Sequence, residues 1–310
     1  MNDVAGVDAQ IEALKKFYVE GLRTLADRPF VHAKSLIPDQ TIFTLKDFQR
    51  HLSNPLLQRA NFTVFHLGKP VDYAAHAYFK MVQGTKCHFL DRRPLDELLG
   101  RGAACLLEGI DMLDPLLNRL AADIDRLNPN LIMSNIVVFF SQKGNEAYRG
   151  HFDTDDVLVL HIEGKKRWHL YERQPMRWVD KNELPPERLG KKTDELVMEA
   201  GDALLVKNGV PHVCETLSDM SLHMSFDLCD RAVHPGRLAE LLLQRYERDA
   251  CYAYSSPEEK LKKFLDQGTN PEFQTAIRAE LAAYRRELQS FREKMGASEV
   301  HFFDRWLNRS

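Results

Sequence analysis

Apolar residues recur at Ile11, Leu14, Tyr18, Leu22 and Leu25, a helical spacing that predicts an amphipathic helix over about 9–26. From 30 to 90 the pattern is mixed, and short strands are expected at "TIFTL" (41–45) and "NFTVFHL" (61–67), broken by Pro and Gly. Residues 93–126 read as two helices around a short strand: "RPLDELLGRG", then "ACLLEG", then "DPLLNRLAADIDRL". In the last of these Asp114 is the expected N-cap and Pro115 the first helical residue.

The texture changes at about 131. Through 228 the chain gives short β-rich runs: "LIMSNIVVFFS", "DVLVLHI", "KRWHLYE", "ELVME", "DALLV" and "MSLHMSFDL". Glycines at 144, 150, 164, 190, 201 and 209 punctuate them, and a turn is expected at Gly164. Many short strands at this spacing predict an antiparallel barrel or double-sheet roll, a mainly β core with helical flanks. After 233 the strands stop. Ser256, Pro257 and Glu259 form a capping box ahead of one helix, and Asn270 with Pro271 opens another. In the second, Ile277, Leu281, Tyr284, Leu288, Phe291 and Met295 share one face, which predicts either packing on the chain's own core or a homodimer. The expected organisation is an α/β flank (1–92), a catalytic core (93–232) and a C-terminal helical region (233–310).

Composition narrows the classes. With 42 Lys+Arg against 45 Asp+Glu the formal net charge is −3, so no bulk field draws nucleic acid or anionic membrane. The basic runs "EGKKRW" and "AYRRELQSFREK" read as solvated faces, and no direct nucleic-acid binding is expected. No run approaches the roughly 18 apolar residues of a membrane span, and the polar N-terminus is not that of a signal peptide. Five cysteines stand singly at 87, 105, 214, 229 and 251, without Cys-x-x-Cys spacing. That argues against a disulfide framework or thiolate zinc site and points to a reducing cytoplasm.

The chemistry concentrates at "RGHFDTDDVLVLHIEGKKRWHLYE". In extended chain, residues i and i+2 share a face, so His151 and Asp153 can present both side chains to one ion. His212, in "NGVPHVCE" after a later turn, can supply a third ligand. Two imidazoles and one carboxylate make a facial triad suited to non-haem Fe(II). The pair alone is weak, because 12 histidines yield about one His-x-Asp match by chance, and His161/Glu163 is a rival. Parity adds a second signal. Along "KKRWHLYE", Lys165, Arg167 and His169 form a wholly polar face, which puts Lys166 inward beside Trp168 and Leu170. A buried ammonium needs an anionic partner, either a protein carboxylate or a bound acid.

The run "SNIVVFFSQKGNEAYRGHFDTDDVLVLHIEGKKRWHLYE", with "GRGAACLLEGIDMLDPLLNRL" before it and "VMEAGDALLVKNGVPHVCETLSDMSLHMSF" after it, resembles the JmjC-type, cupin-fold Fe(II)/2-oxoglutarate oxygenases. The bacterial and nucleolar ribosomal-protein hydroxylases are the most similar branch, and the shared pattern is HxDxxDV…GxKxWxLY. The resemblance implies a double-stranded β-helix (jelly-roll) core. It implies His151, Asp153 and His212 as iron ligands, Lys166 on the distal carboxylate of 2-oxoglutarate, and Asn135 helping to seat that cosubstrate. It assigns no metal role to His161/Glu163. Dioxygen would be the third reactant. This chain departs from the pattern at Val137, where the family has an aromatic, and at Asp227, where it has Ser or Asn; the family's winged-helix module is not recognisable after 233. The implied activity is hydroxylation of a side chain in a protein or peptide substrate. Alternatives are hydroxylation of a free amino acid or peptide natural product, and a non-catalytic cupin binding module.

Overall fold

The computed structural model describes residues 4–128, 132–145, 147–174, 183–229 and 256–296. They fall into two compact units, Met1–Leu127 with Met133–Leu228, and Asn128–Ile132 with Cys229–Ser310.

The first unit opens with α1 (Val4–Thr24), whose Ile11, Leu14 and Tyr18 are buried as their spacing requires. After β1 (Phe30–Ala33) comes α2 (Leu45–Leu52). Here "TIFTL" is not a strand. Thr44 caps α2, its hydroxyl accepting from the Asp47 N–H while the Asp47 carboxylate accepts from the Thr44 N–H. A reciprocal cap of this kind satisfies two orphan donors, and it outweighs the β propensity of the β-branched residues around it. Then follow β2 (Phe62–His66), β3 (Lys69–Pro70) and a separate hairpin of β4 (Ala77–Val82) and β5 (Thr85–Leu90), which the mixed pattern did not reveal. Next come α3 (Arg92–Gly100), β6 (Ala104–Glu108) and α4 (Pro115–Leu127). Asp114 Oδ1 accepts from the N–H groups of Leu116 and Leu117, the expected N-cap.

The remaining strands are β7 (Ile132–Gln142), β8 (Asp156–Tyr171), β9 (Lys192–Glu199), β10 (Ala203–Val206) and β11 (His212–Cys229). One sheet runs in the order β1-β10-β8-β11-β7-β6-β2-β3, with β9 also on β8. The registered pairs in it are antiparallel. β8 organises it: Val157–Leu160 pair with β10, Lys165–Tyr171 pair with β9, and the other edge follows β11 along nearly its whole length.

The expected turn at Gly164 is instead a bulge inside one long strand. β8 runs through Gly164 at φ +76°, and β11 breaks register opposite it, between Thr216 and Ser221. A Cβ on Gly164 would lie 2.0 Å from the Met220 carbonyl oxygen, so only glycine lets the two backbones approach. The Ser218 hydroxyl holds the bulge by accepting from the Lys165 N–H and donating to the Met220 carbonyl.

A bulge changes which parity faces inward. Before it Val157 and Val159 point into the core, and after it Trp168 and Leu170 join the same cluster with Met198, Leu204 and Val206. β11 makes the same change, from His212 and Cys214 to His223, Ser225 and Asp227. The inner faces of both strands therefore converge on one cavity.

The second unit holds α5 (Pro257–Thr269) and α6 (Pro271–Gly296). The Ser256/Glu259 capping box and the Asn270 cap form as their sequence predicts. Ile277 of the apolar stripe is buried. The side chains of Leu281, Tyr284, Leu288, Phe291 and Met295 lie outside the described residues.

Candidate metal centre

His151 and Asp153 sit on the extended segment before β8, and His212 opens β11. A two-way backbone bridge joins them: the His151 N–H donates to the His212 carbonyl at 3.1 Å, and the His212 N–H returns to the His151 carbonyl at 2.7 Å. The Gly209 N–H donates to the Asp153 carbonyl at 2.9 Å, pinning the third position to the turn that leads into β11. Sequence-distant side chains are thus held together by main-chain bonds. One ligand atom from each of His151, Asp153 and His212 lies within 4.8 Å of the others, and among the described residues only this group is so placed.

The imidazoles are oriented as ligands. His151 Nδ1 is 2.9 Å from the Arg149 carbonyl and His212 Nδ1 is 3.1 Å from the Val210 carbonyl. A carbonyl can only accept, so each Nδ1 carries a proton and each Nε2 is the ring nitrogen left to coordinate. These Nε2 atoms face the Asp153 carboxylate, at 3.9 Å from His151 and 3.8 Å from His212. Burial, then the neighbouring His151, pushes His212 down to about 4, so it is neutral at physiological pH. Trp168 stacks on His212 with ring centroids 5.1 Å apart, fixing the ring against the wall. Backbone carbonyls that fix the tautomer of a ligating histidine are the usual outer shell of a metal site. Two imidazole nitrogens and one carboxylate fit a hard-to-borderline divalent ion such as Fe(II).

The three donors line a cavity that measures about 690 Å³ with its mouth included. Phe139, Val157, Val159 and Trp168 supply its apolar wall, and Lys166 lines it too. Lys166 is 4% exposed although it is a lysine, while Lys165 lies outside in an ion pair with Glu199. The Lys166 ammonium approaches His223 Nδ1 at 3.5 Å. Asn135 is placed differently: its Oδ1 accepts from the Gly109 N–H at 2.6 Å, and it is not among the cavity-lining residues. It shares the β7 face of Phe139 and Ser141, which do line the cavity. Val137, on that face, packs against Phe65, Ala104, Leu106 and Ala147.

The rival pair dissolves. His161 is fully buried, its Nε2 3.2 Å from the Gly164 carbonyl, whereas Glu163 is exposed at the bulge. Two residues that the sequence did not single out also line the cavity. Tyr148 is 5.3 Å from His151 between ring centroids. Burial, then the carboxylates of Glu108, Asp153, Glu183 and Asp227, pushes its phenol up to about 12, so it remains a neutral donor. His223 is the other. Its inward position depends on the parity change in β11, which an alternating pattern alone does not disclose.

Comparison with known proteins finds similarity over the same region. The JmjC domain family matches residues 112–234, a span that contains the three donors and Lys166. Ribosomal oxygenase 2 of Rattus norvegicus is 31% identical over 98 residues, covering 31% of this chain and 21% of that protein. The bifunctional lysine-specific demethylase and histidyl-hydroxylase NO66 of Dictyostelium discoideum is 33% identical over 98 residues, covering 28% of this chain and 18% of that protein. The chain thus spans about a fifth of the length of these relatives. Among solved structures, the ribosomal oxygenase YcfD of Escherichia coli, in complex with cobalt and 2-oxoglutarate, superposes with a TM-score of 0.54 at 15% identity. That match covers 84% of this chain and 70% of the other, and it shows a shared fold.

Proposed function

We propose that this chain, a JmjC/cupin-fold oxygenase related to the ribosomal oxygenases, hydroxylates an amino-acid side chain in a protein or peptide substrate. Its cofactor would be Fe(II), its cosubstrates 2-oxoglutarate and dioxygen, and its co-products succinate and carbon dioxide. The observation that carries this reading is one cavity with a His/Asp/His donor set and a buried lysine in its wall.

Each residue then has a task. His151, Asp153 and His212 would hold the ion, with the protons on both Nδ1 atoms keeping the two Nε2 lone pairs aimed at it. Bound there, Fe(II) with 2-oxoglutarate supplies the dioxygen activation and the redox chemistry. Lys166 would grip the distal carboxylate of the cosubstrate as a charge-assisted donor. Asn135, with Oδ1 engaged by Gly109, would offer its remaining amide N–H groups to the same cosubstrate. Phe139, Val157, Val159 and Trp168 would exclude water from the reacting centre. The protonated Tyr148 hydroxyl is a polar group of the wall that can meet substrate.

In this reading the core is a double-stranded β-helix, a closure that the paired long strands β8 and β11 and the YcfD-like fold support. The functional division would be a flank (1–92), a catalytic core (93–232) and a helical region (233–310) that joins two chains. No helix among the described residues is long and apolar enough to cross a membrane. Cys87, Cys105 and Cys214 form no disulfide, which suits a reducing compartment such as the cytoplasm. A second reading, hydroxylation of a free amino acid or peptide natural product, draws on Val137, which packs into an apolar cluster where an aromatic would reach toward substrate.

Incubation with lysate peptides, Fe(II) and 2-oxoglutarate, followed by mass spectrometry, tests the substrate class. A gain of the mass of one oxygen on defined peptides is expected. Succinate formation accelerated by free amino acids and not by peptides would favour the second reading.

A further inference from the structure

His223 lies on β11 beyond the bulge, 5% exposed, and lines the cavity that holds the metal donors. Its ring is held by stacking. Phe139 stacks on it with centroids 4.8 Å apart and planes 1° from parallel, and His161 lies parallel to it at 6.3 Å. The Lys166 ammonium stands 3.5 Å from Nδ1. An ammonium has protons and no lone pair, so Nδ1 must be the acceptor of this contact. The tautomer follows: the proton of a neutral ring sits on Nε2. Neutrality is enforced by surroundings, because burial and then the Lys166 charge hold His223 well below the usual imidazole value.

The ring therefore carries one N–H donor, and among the described residues no group accepts from it. A donor on a cavity wall with no protein acceptor is satisfied when a ligand oxygen meets it. Its neighbour on the same wall is the lysine that binds an anion in the reading above.

We propose that His223 is the second half of the anion site: its Nε2–H donates to the distal carboxylate of the bound 2-oxo acid while its Nδ1 orients the Lys166 ammonium toward the same group. The assignment rests on the 2-oxoglutarate reading and adds a residue to it. One imidazole thereby links the cation to the ligand twice, by positioning the lysine and by supplying a second hydrogen bond. A carboxylate has two oxygens, and a lysine–histidine pair satisfies one with each donor. A 2-oxo acid lacking the distal carboxylate gains nothing from either.

The test is calorimetric titration of protein loaded with Mn(II) in place of Fe(II), so that no turnover intervenes. The ligands are 2-oxoglutarate and 2-oxobutyrate, which has no distal carboxylate. His223→Phe keeps a ring against Phe139 and removes the donor. It should weaken 2-oxoglutarate binding about ten- to hundredfold, the range of one charge-assisted bond, and leave Mn(II) and 2-oxobutyrate binding unchanged. His223→Gln, which restores an N–H donor, should recover part of that loss. If the phenylalanine variant fails to fold, His223→Leu takes its place with the same expectation. Wild-type affinity for 2-oxoglutarate in the donor-less variant, or an equal loss for both acids, overturns the assignment and leaves the cosubstrate reading standing. A wild-type protein that binds Mn(II) and no 2-oxoglutarate overturns both.

Discussion

Lys166 and Lys165 are adjacent in sequence and opposite in environment, which makes them a controlled pair. Lys165 forms an ion pair with Glu199 at 2.6 Å, both side chains being 56% exposed. Such a surface pair contributes about 0–1 kcal/mol, because water and salt screen it. Lys166 is 4% exposed, in the cavity wall that also carries the metal donors. A charge-assisted bond from it to a bound carboxylate is worth roughly 1.5–3 kcal/mol, or about ten- to hundredfold in affinity. Lys166→Ala should therefore raise the apparent constant for 2-oxoglutarate by at least about tenfold in a succinate-formation assay, with metal content unchanged. Lys166→Arg should retain part of the activity, since a guanidinium still reaches an anion. Lys165→Ala should leave that constant within about twofold of wild type. Effects of equal size at the two positions, or larger at Lys165, refute the assigned facing of β8 after the bulge.

Gly164→Ala should lower stability by at least about 1–3 kcal/mol from the positive φ alone. The 2.0 Å approach to the Met220 carbonyl adds to this, so a urea midpoint equal to wild type would contradict the bulge. His161 is fully buried and pushed down to about 4 by burial and then by Lys166, against about 6.5 in an unfolded chain. The unfolded state then binds the extra proton between those values, so stability should fall as pH drops from about 6.5 to about 4. His161→Phe should flatten that part of a pH series of denaturation midpoints, and an unchanged slope counts against the burial argument. Sedimentation at micromolar concentration should give the mass of two chains joined through α6, whereas a single-chain mass would make its apolar stripe internal packing.

Much of the site was legible because its spacing is short. The two-residue repeat from His151 to Asp153 and the polar face of Lys165, Arg167 and His169 are local patterns, and local patterns survive tertiary rearrangement. The helices were legible through their caps at Asp114, Ser256 and Asn270, each of which forms as its side-chain chemistry requires. Misreadings arose where one interaction overrode a propensity. "TIFTL" has β-type residues, yet Thr44 and Asp47 close a capping box within it. Gly164 signals a break, and a positive φ serves a bulge as well as a turn; the choice depends on β11, 50 residues and more away, accepting the matching irregularity. His223 went unnoticed for the same reason. Counted from His212 by twos, position 223 falls on the outer face, and only the extra residues at the bulge bring it inside. The β4–β5 hairpin was hidden because Tyr78, Phe79, Met81 and Val82 stay exposed, leaving no inside-outside alternation to read.

The proposed reaction, an iron- and 2-oxoglutarate-dependent oxidation, depends on His151, Asp153 and His212 together. Its most direct test is quantified succinate formation from 2-oxoglutarate by wild-type protein and by Asp153→Ala, with Fe(II) and dioxygen each supplied or withheld. The account predicts succinate from the wild type only when both are present, and none above background from Asp153→Ala, which lacks the anionic ligand. Succinate formed equally by both proteins, or by neither with iron bound, would contradict it.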